Sequence, residues 1–143
     1  PFGQFIFDPN IHQNIIMFAG GIGITPFFSM VQFATLQKLH NHIVLFYANR
    51  TLADIGYMKE LETFSQKNKF LNIKFLIDQV SESSPQSKNI YYQPITWDFV
   101  LEHAKITGHT YFFLCGPTGF MDYIIDFLIK NGINKSYIKK ELF

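Results

Sequence analysis

Apolar residues fall into short unbroken runs, separated by stretches in which they recur every three or four positions. Four runs have strand length and β-branched or aromatic content: Ile15 to Ala19, Ile43 to Tyr47, Ile73 to Ile77 and Tyr111 to Cys115. A weaker fifth, Tyr137 to Leu142, closes the chain. Such near-continuous runs suit strands buried on both faces, as in a parallel sheet. The stretches between them predict helices. Pro26 to Leu39 sets Phe27, Met30, Val31, Ala34 and Leu39 at helical spacing, and Tyr57 to Asn68 does the same with Tyr57, Met58, Leu61 and Phe64. Thr96 to Lys105 opens on a hydroxyl able to cap it, with Asp98 and Glu102 near its start. Thr118 to Asn131 carries Phe120, Met121, Ile124, Ile125, Leu128 and Ile129, and Gly132 follows as its C-cap.

This alternation predicts an α/β fold of three layers, a doubly wound parallel sheet of five strands in the order 3-2-1-4-5 with helices on both faces. The turn after the first strand then lies at the switch point beside the fourth. A ligand belongs outside the carboxyl ends of those two strands. Two segments stand outside the pattern. Gln79 to Gln93 is polar and Ser-rich and reads as an exposed loop; Pro1 to Asn14 reads as a tail preceding a domain that spans residues 15–143.

Chemistry is concentrated in three turns. The first is Gly20-Gly21-Ile22-Gly23-Ile24-Thr25-Pro26, between a buried strand and a helix. Glycines allow close backbone approach to a ligand, Pro26 suits the first helical position, and the helix N-terminus attracts an anion. The motif is neither Gly-x-Gly-x-x-Gly, because Pro26 stands at the last glycine, nor a P-loop, because no Lys-Ser or Lys-Thr follows. Its position nevertheless marks a pyrophosphate site, with the Thr25 hydroxyl as an added donor. The second turn, Cys115-Gly116-Pro117-Thr118-Gly119-Phe120-Met121, should face the first across the crevice, so that the two hold the ends of a dinucleotide. By itself Cys115 reads as a buried small hydrophobe; in this setting it can touch the reactive end of the ligand. The third, Tyr47-Ala48-Asn49-Arg50-Thr51, stands at the end of the second strand, where an acid would read a free ribose 2′-hydroxyl and an arginine a 2′-phosphate. Arg50 with no acid before Asp54 favours NADP over NAD. Tyr57 can stack on an adenine or simply pack its helix.

Composition narrows the classes. Hydrophobic residues make up 48% of the 143, enough for a substantial core, and the net charge of +1 gives no reason to expect nucleic acid or an anionic membrane as partner. No apolar segment is long enough to cross a bilayer. The lone Cys115 permits no internal disulfide and favours a reducing, cytoplasmic setting. The five histidines show no metal-ligand spacing, and no Ser, His and Asp set stands out for nucleophilic catalysis.

Taken together, Gly20 to Pro26 with Phe27, Phe46 to Thr51 continuing through Tyr57 to Leu61, Cys115-Gly116-Pro117 with Met121, and the closing Glu141-Leu142-Phe143 resemble the C-terminal NAD(P)-binding domain of the ferredoxin–NADP reductase superfamily. The resemblance implies hydride transfer between NAD(P)H and a flavin, FAD or FMN. It implies that the first turn holds the pyrophosphate and that Cys115 and Gly116 lie beside the nicotinamide. It also implies that Glu141 orders that end of the site and that Phe143 lies against the flavin ring. The family's flavin-binding Arg-x-Tyr-Ser/Thr segment does not occur here. Pro1-Phe2-Gly3-Gln4-Phe5 resembles the last stretch of the flavin-binding barrel, so residues 1–14 are expected to be its remnant, or a linker, in a domain excised from a longer reductase. That reductase would pass electrons to an unidentified acceptor, in the cytoplasm or at the cytoplasmic face of a membrane. Two other readings remain at this stage: a nucleotide-binding sensor or interaction module without redox activity, and a hydrolase or transferase on the same scaffold.

Overall fold

The computed structural model describes residues 5–79 and 87–142. The strands are β1 (Asn14–Gly20), β2 (His42–Asn49), β3 (Leu71–Ile77), β4 (Ile90–Tyr91), β5 (Tyr111–Cys115) and β6 (Ile138–Glu141). The helices are α1 (Ile24–Leu36), α2 (Met58–Lys67), α3 (Trp97–His103) and α4 (Thr118–Lys130). All strand pairings are parallel, and the sheet runs β4-β3-β2-β1-β5-β6.

Alternate residues of each strand point to opposite faces, so each run feeds two cores. Ile15, Met17 and Ala19 pack with Phe27, Val31 and Leu61 under α1 and α2, whereas Ile16 and Phe18 pack with Val100, Ile124 and Leu128 under α3 and α4. Burial on both sides is why these strands read as continuous apolar runs rather than as alternating ones. The result is the expected three-layer, doubly wound α/β class.

Three expectations require correction. The sheet has six strands, not five, and its order differs from 3-2-1-4-5 by β4 at the edge beyond β3. Ile90 and Tyr91 pair with Phe75 and Leu76, and the Tyr91 ring packs edge-on against Phe99 at 5.0 Å, so two residues of an otherwise polar stretch find apolar partners. Residues 80–86 of the expected loop lie outside the described residues. Helix α1 begins at Ile24, which makes Pro26 its third residue rather than its first. A first-turn N–H has no intrahelical partner, so the proline still costs no hydrogen bond there. Ahead of β1, Phe5 and Phe7 pack against the α1-side core, with the Phe5 ring 5.6 Å from Phe27 and 5.1 Å from Phe113. Asn41 ties this segment down by donating to the Pro9 and His12 carbonyls at 2.8 and 3.0 Å.

Candidate functional site

The chain leaves β1 at one side of the sheet centre and returns through β5 at the other, so their carboxyl ends open side by side. Gly23 sits where the two following turns touch. A Cβ there would overlap the Cys115 carbonyl and come within 2.8 Å of the Gly116 nitrogen. Only a residue without a side chain lets the peptide segments meet. Gly116 in turn abuts the Gly20 backbone, and the Phe120 ring lies against both. Gly21 has φ +55 with open space around its Cβ position, so there the glycine meets a backbone requirement, not a packing one.

A cavity of about 670 Å³ opens over this junction. Gly20, Gly21, Ile22, Ile24 and Thr25 line its middle, Pro117 and Phe120 one end, and Tyr47, Ala48, Asn49, Arg50, Asp54, Gly56, Tyr57 and Asp78 the other. Gly20, Gly21, Thr25, Asn49, Arg50, Tyr57 and Pro117, all read from the sequence, are therefore brought together. Pro26, Thr51, Gly116, Met121, Cys115 and Glu141 do not line the cavity. Thr51 instead donates to Asp54 at 2.8 Å, and Met121 is buried in the α4-side core. Phe143 lies outside the described residues.

The electrostatics favour a diphosphate at the centre. Helices α1 and α4 both start at the cavity without a side-chain cap and without an acid in the first turn. On the α1 side a 3-10 turn over Gly21–Gly23 leads into the helix and takes up the Ile24 N–H on the Gly21 and Ile22 carbonyls, so the free donors there are those of the glycine turn itself, while α4 opens with its first-turn N–H groups free. The Thr25 hydroxyl donates weakly back to the Ile22 carbonyl at 3.4 Å, so it remains available. At the Arg50 end the charged lining residues are one arginine and two aspartates, Asp54 and Asp78. Asp78 was not legible as a site residue, because an acid after β3 reads as an ordinary loop charge. Backbone bonds from Asp78 to Asn49 (3.1 Å) and from Gln79 to Arg50 (2.9 Å) carry the β2–β3 ladder past the strand ends and bring that carboxylate to the cavity.

Two buried polar groups border the same end. Tyr47, 1% exposed, accepts the Gly56 N–H on its hydroxyl at 3.0 Å. Burial raises its phenol above the ordinary tyrosine value, an effect that the Gly56 N–H and the nearby Asn49 amide oppose. Asn49 is 7% exposed, and its amide nitrogen is sealed with no acceptor at hydrogen-bonding distance.

At the other end Cys115 is fully buried and stands opposite Glu141 in the β5–β6 register. Burial, and secondarily the Glu141 charge, push its thiol up to about 11. The group is a neutral thiol at physiological pH, suited to contact or weak hydrogen bonding and not to nucleophilic attack. Among the described residues no three His, Cys, Asp or Glu side chains group to hold a metal, and no helix is long and apolar enough to cross a membrane.

Comparison with known proteins gives the chain a family. Residues 17–126 match the model of the oxidoreductase NAD-binding domain family. The chain is 33% identical over 125 residues to NADH-cytochrome b5 reductase 2 of Candida glabrata, covering 85% of this chain and 41% of that protein. It is 24% identical over its whole length to a flavohemoprotein of Oceanobacillus iheyensis, covering 34% of the latter. Among solved structures, the cytochrome b5 reductase domain of Ulva prolifera nitrate reductase superposes with a TM-score of 0.76 at 26% identity, over 92% of this chain and 49% of that one. The chain thus spans about two-fifths or less of the length of these two curated relatives.

Proposed function

The chain belongs to the oxidoreductase NAD-binding domain family, and on that footing we propose that it binds NAD(P)H and presents the nicotinamide to a flavin, FAD or FMN, held by a domain outside this chain. The observation that carries the reading is the contact of the two turns at Gly23, which makes one cradle of the β1–α1 and β5–α4 junctions. The starts of α1 and α4 fit a diphosphate, with the Gly21–Gly23 turn and the Thr25 hydroxyl as donors on the α1 side.

The cofactors supply the hydride chemistry; the protein supplies position. Gly20 and Gly116 leave room for the Phe120 ring, which walls the crevice. Pro117 and Phe120 bound the nicotinamide end, with Gly116 and Cys115 behind them. Cys115, neutral and fully buried, lies beneath that end and not at its surface, with Glu141 beside it across the β5–β6 pair. Phe143 is assigned to the flavin face by the family pattern alone.

At the ribose end the charge balance revises the preference drawn from Arg50. Asp54 and Asp78 together outweigh that arginine, so the lining repels a 2′-phosphate and offers acceptors to a free 2′-hydroxyl. We therefore read NADH as the preferred donor, and Arg50 as a ribose or pyrophosphate contact. The similar proteins named NADH-cytochrome b5 reductase and flavohemoprotein support a flavin-bearing partner domain and an electron acceptor beyond it. The free, buried Cys115 suits a reducing, cytoplasmic setting.

The test is anaerobic titration of the full-length protein carrying this chain. NADH should bleach the flavin absorbance, and Asp78→Asn should narrow the margin by which NADH outperforms NADPH. Flavin absorbance unchanged by both nucleotides would overturn the redox reading.

A further inference from the structure

We propose that His12 is a positioning residue for the nucleotide cleft: as a neutral imidazole it latches residues 5–13 against the α1–β5 junction below the two turns, and a proton on it undoes the latch. The effect on the ligand rests on the nucleotide reading above; the latch itself does not.

Polar bonds fold this segment onto the domain. The Asp8 carbonyl accepts the Ile11 and His12 N–H groups at 3.0 and 2.8 Å, and Asp8 Oδ1 accepts the Asn10 N–H at 2.9 Å. Asn41, itself buried, holds the Pro9 and His12 carbonyls. One bond depends on a proton. The Asp8 N–H donates to His12 Nδ1 at 2.9 Å. An imidazole nitrogen accepts only while it carries no hydrogen, so a charged His12 would set two donors against each other. Of the five histidines, all among the described residues, His12 alone is buried, at 7% exposed. Its ring lies 4.7 Å from Tyr111, 5.0 Å from Phe113 and 6.2 Å from Phe7.

The latch reaches the cleft through Phe113. That ring touches both His12 and Phe5, the latter at 5.1 Å, and Phe5 also lies 5.6 Å from Phe27. Phe113 stands two residues before Cys115 on β5, on the same face of the sheet, and Phe27 lies one helical turn after Gly23. Gly23 and the Cys115 carbonyl are where the two turns meet. Phe5 thus bridges the two elements whose ends form the cradle. Releasing the segment removes that brace and leaves Phe27 and Phe113 short of a packing partner.

The surroundings of the imidazole favour its neutral form. Burial holds it below the ordinary histidine value of 6.5; Asp8, in the same turn, opposes this, and Lys139 on β6 adds to it. Tyr111 on β5 meets it through its ring. Once released, His12 takes up protons at the ordinary value. Docking is therefore fully supported above pH 6.5 and weakens as pH falls below it.

NMR of the chain titrated between about pH 8 and pH 5 tests the latch. In the wild type the His12 Hε1 shift should titrate below pH 6.5. The Asp8 amide and the Phe5 and Phe7 ring protons should leave their docked positions with the same midpoint, while the β1 and β2 amides hold. His12→Asn, whose amide oxygen can replace Nδ1 without titrating, should keep the segment docked at the acid end. His12→Leu fills the space without an acceptor and should leave the segment undocked throughout. Isothermal titration with NAD+ reads the cleft: between the two ends of the range, wild-type affinity should fall several-fold more than that of His12→Asn. A His12 titration that leaves the Phe5 and Phe7 rings in place would overturn the latch, and so would rings that stay docked in His12→Leu. If His12→Asn does not fold, the wild-type titration decides alone. Equal pH dependence of NAD+ affinity in wild type and His12→Asn would overturn the positioning role and leave the nucleotide reading standing. Failure of the wild type to bind NAD+ at either end would remove both.

Discussion

Helices α1 and α3 begin in opposite ways. The start of α3 is finished by the protein itself: Thr96 accepts the Phe99 N–H at 3.1 Å, and Asp98 sits in the first turn. The start of α1 has neither side-chain cap nor acid; a 3-10 turn over Gly21–Gly23 leads into it, and the helix dipole still points at the cavity. Helix α4 repeats the open arrangement on the other side of the crevice. A helix end that the chain completes is structural, and one that it leaves open beside a cavity is kept for an anion. Among the described helices, the two that start with neither a side-chain cap nor a first-turn acid are the two that flank the sheet's switch point.

That contrast can be attacked at several places. The largest effect should come from Gly23→Ala, which forces a Cβ into the Cys115 carbonyl, a backbone atom that cannot swing aside. Denaturant unfolding should show a loss of about 3 kcal/mol, with loss of NADH binding. Near-wild-type stability would mean that the two turns do not meet. Thr25→Glu should separate binding from stability. An acid in the first turn of α1 stabilises the helix by about 0.5 kcal/mol, yet should weaken NADH about tenfold by repelling the diphosphate. Unchanged NADH affinity would count against the anion site. Thr96→Ala should do the reverse, costing about 1 kcal/mol of stability while leaving NADH affinity alone.

The smallest effect concerns Cys115. Its thiol titrates near 11, above its ordinary value of 9.0. The native state therefore holds that proton more tightly than the unfolded chain. The resulting stability is complete below pH 9.0 and is lost as pH rises through about 11. Cys115→Ala should flatten that part of the stability profile. Native protein should resist iodoacetamide at neutral pH and react only after unfolding. Rapid alkylation of the native state would contradict a buried, neutral thiol.

Legibility in the sequence followed the same division. The β1–α1 turn was readable because three glycines, a threonine and a proline between an apolar run and a helical pattern admit few structures. The facing turn was readable because strand order puts it there. β4 was not, since Ile90 and Tyr91 are only two residues in a polar stretch and acquire meaning through Phe75, Leu76 and Phe99. Asp78 was missed for a related reason: it reads as a loop charge, and only the β2–β3 pairing brings it to the cavity. Tyr47 stood in the segment singled out at the end of the second strand, but its bond to the Gly56 N–H was not legible there. The Cys115 environment was half legible: the burial expected of a free cysteine holds, while its pairing with Glu141 needed the β5–β6 register.

The central claim is that the open starts of α1 and α4 together hold the diphosphate of a nicotinamide nucleotide. The most direct measurement is an amide NMR titration of the chain with NADH. The largest shifts should fall on Gly21 to Thr25 and on Thr118 to Phe120, with the Trp97 to Phe99 amides of the capped α3 unmoved. Shifts centred on α3, or confined to one of the two turns, would contradict it.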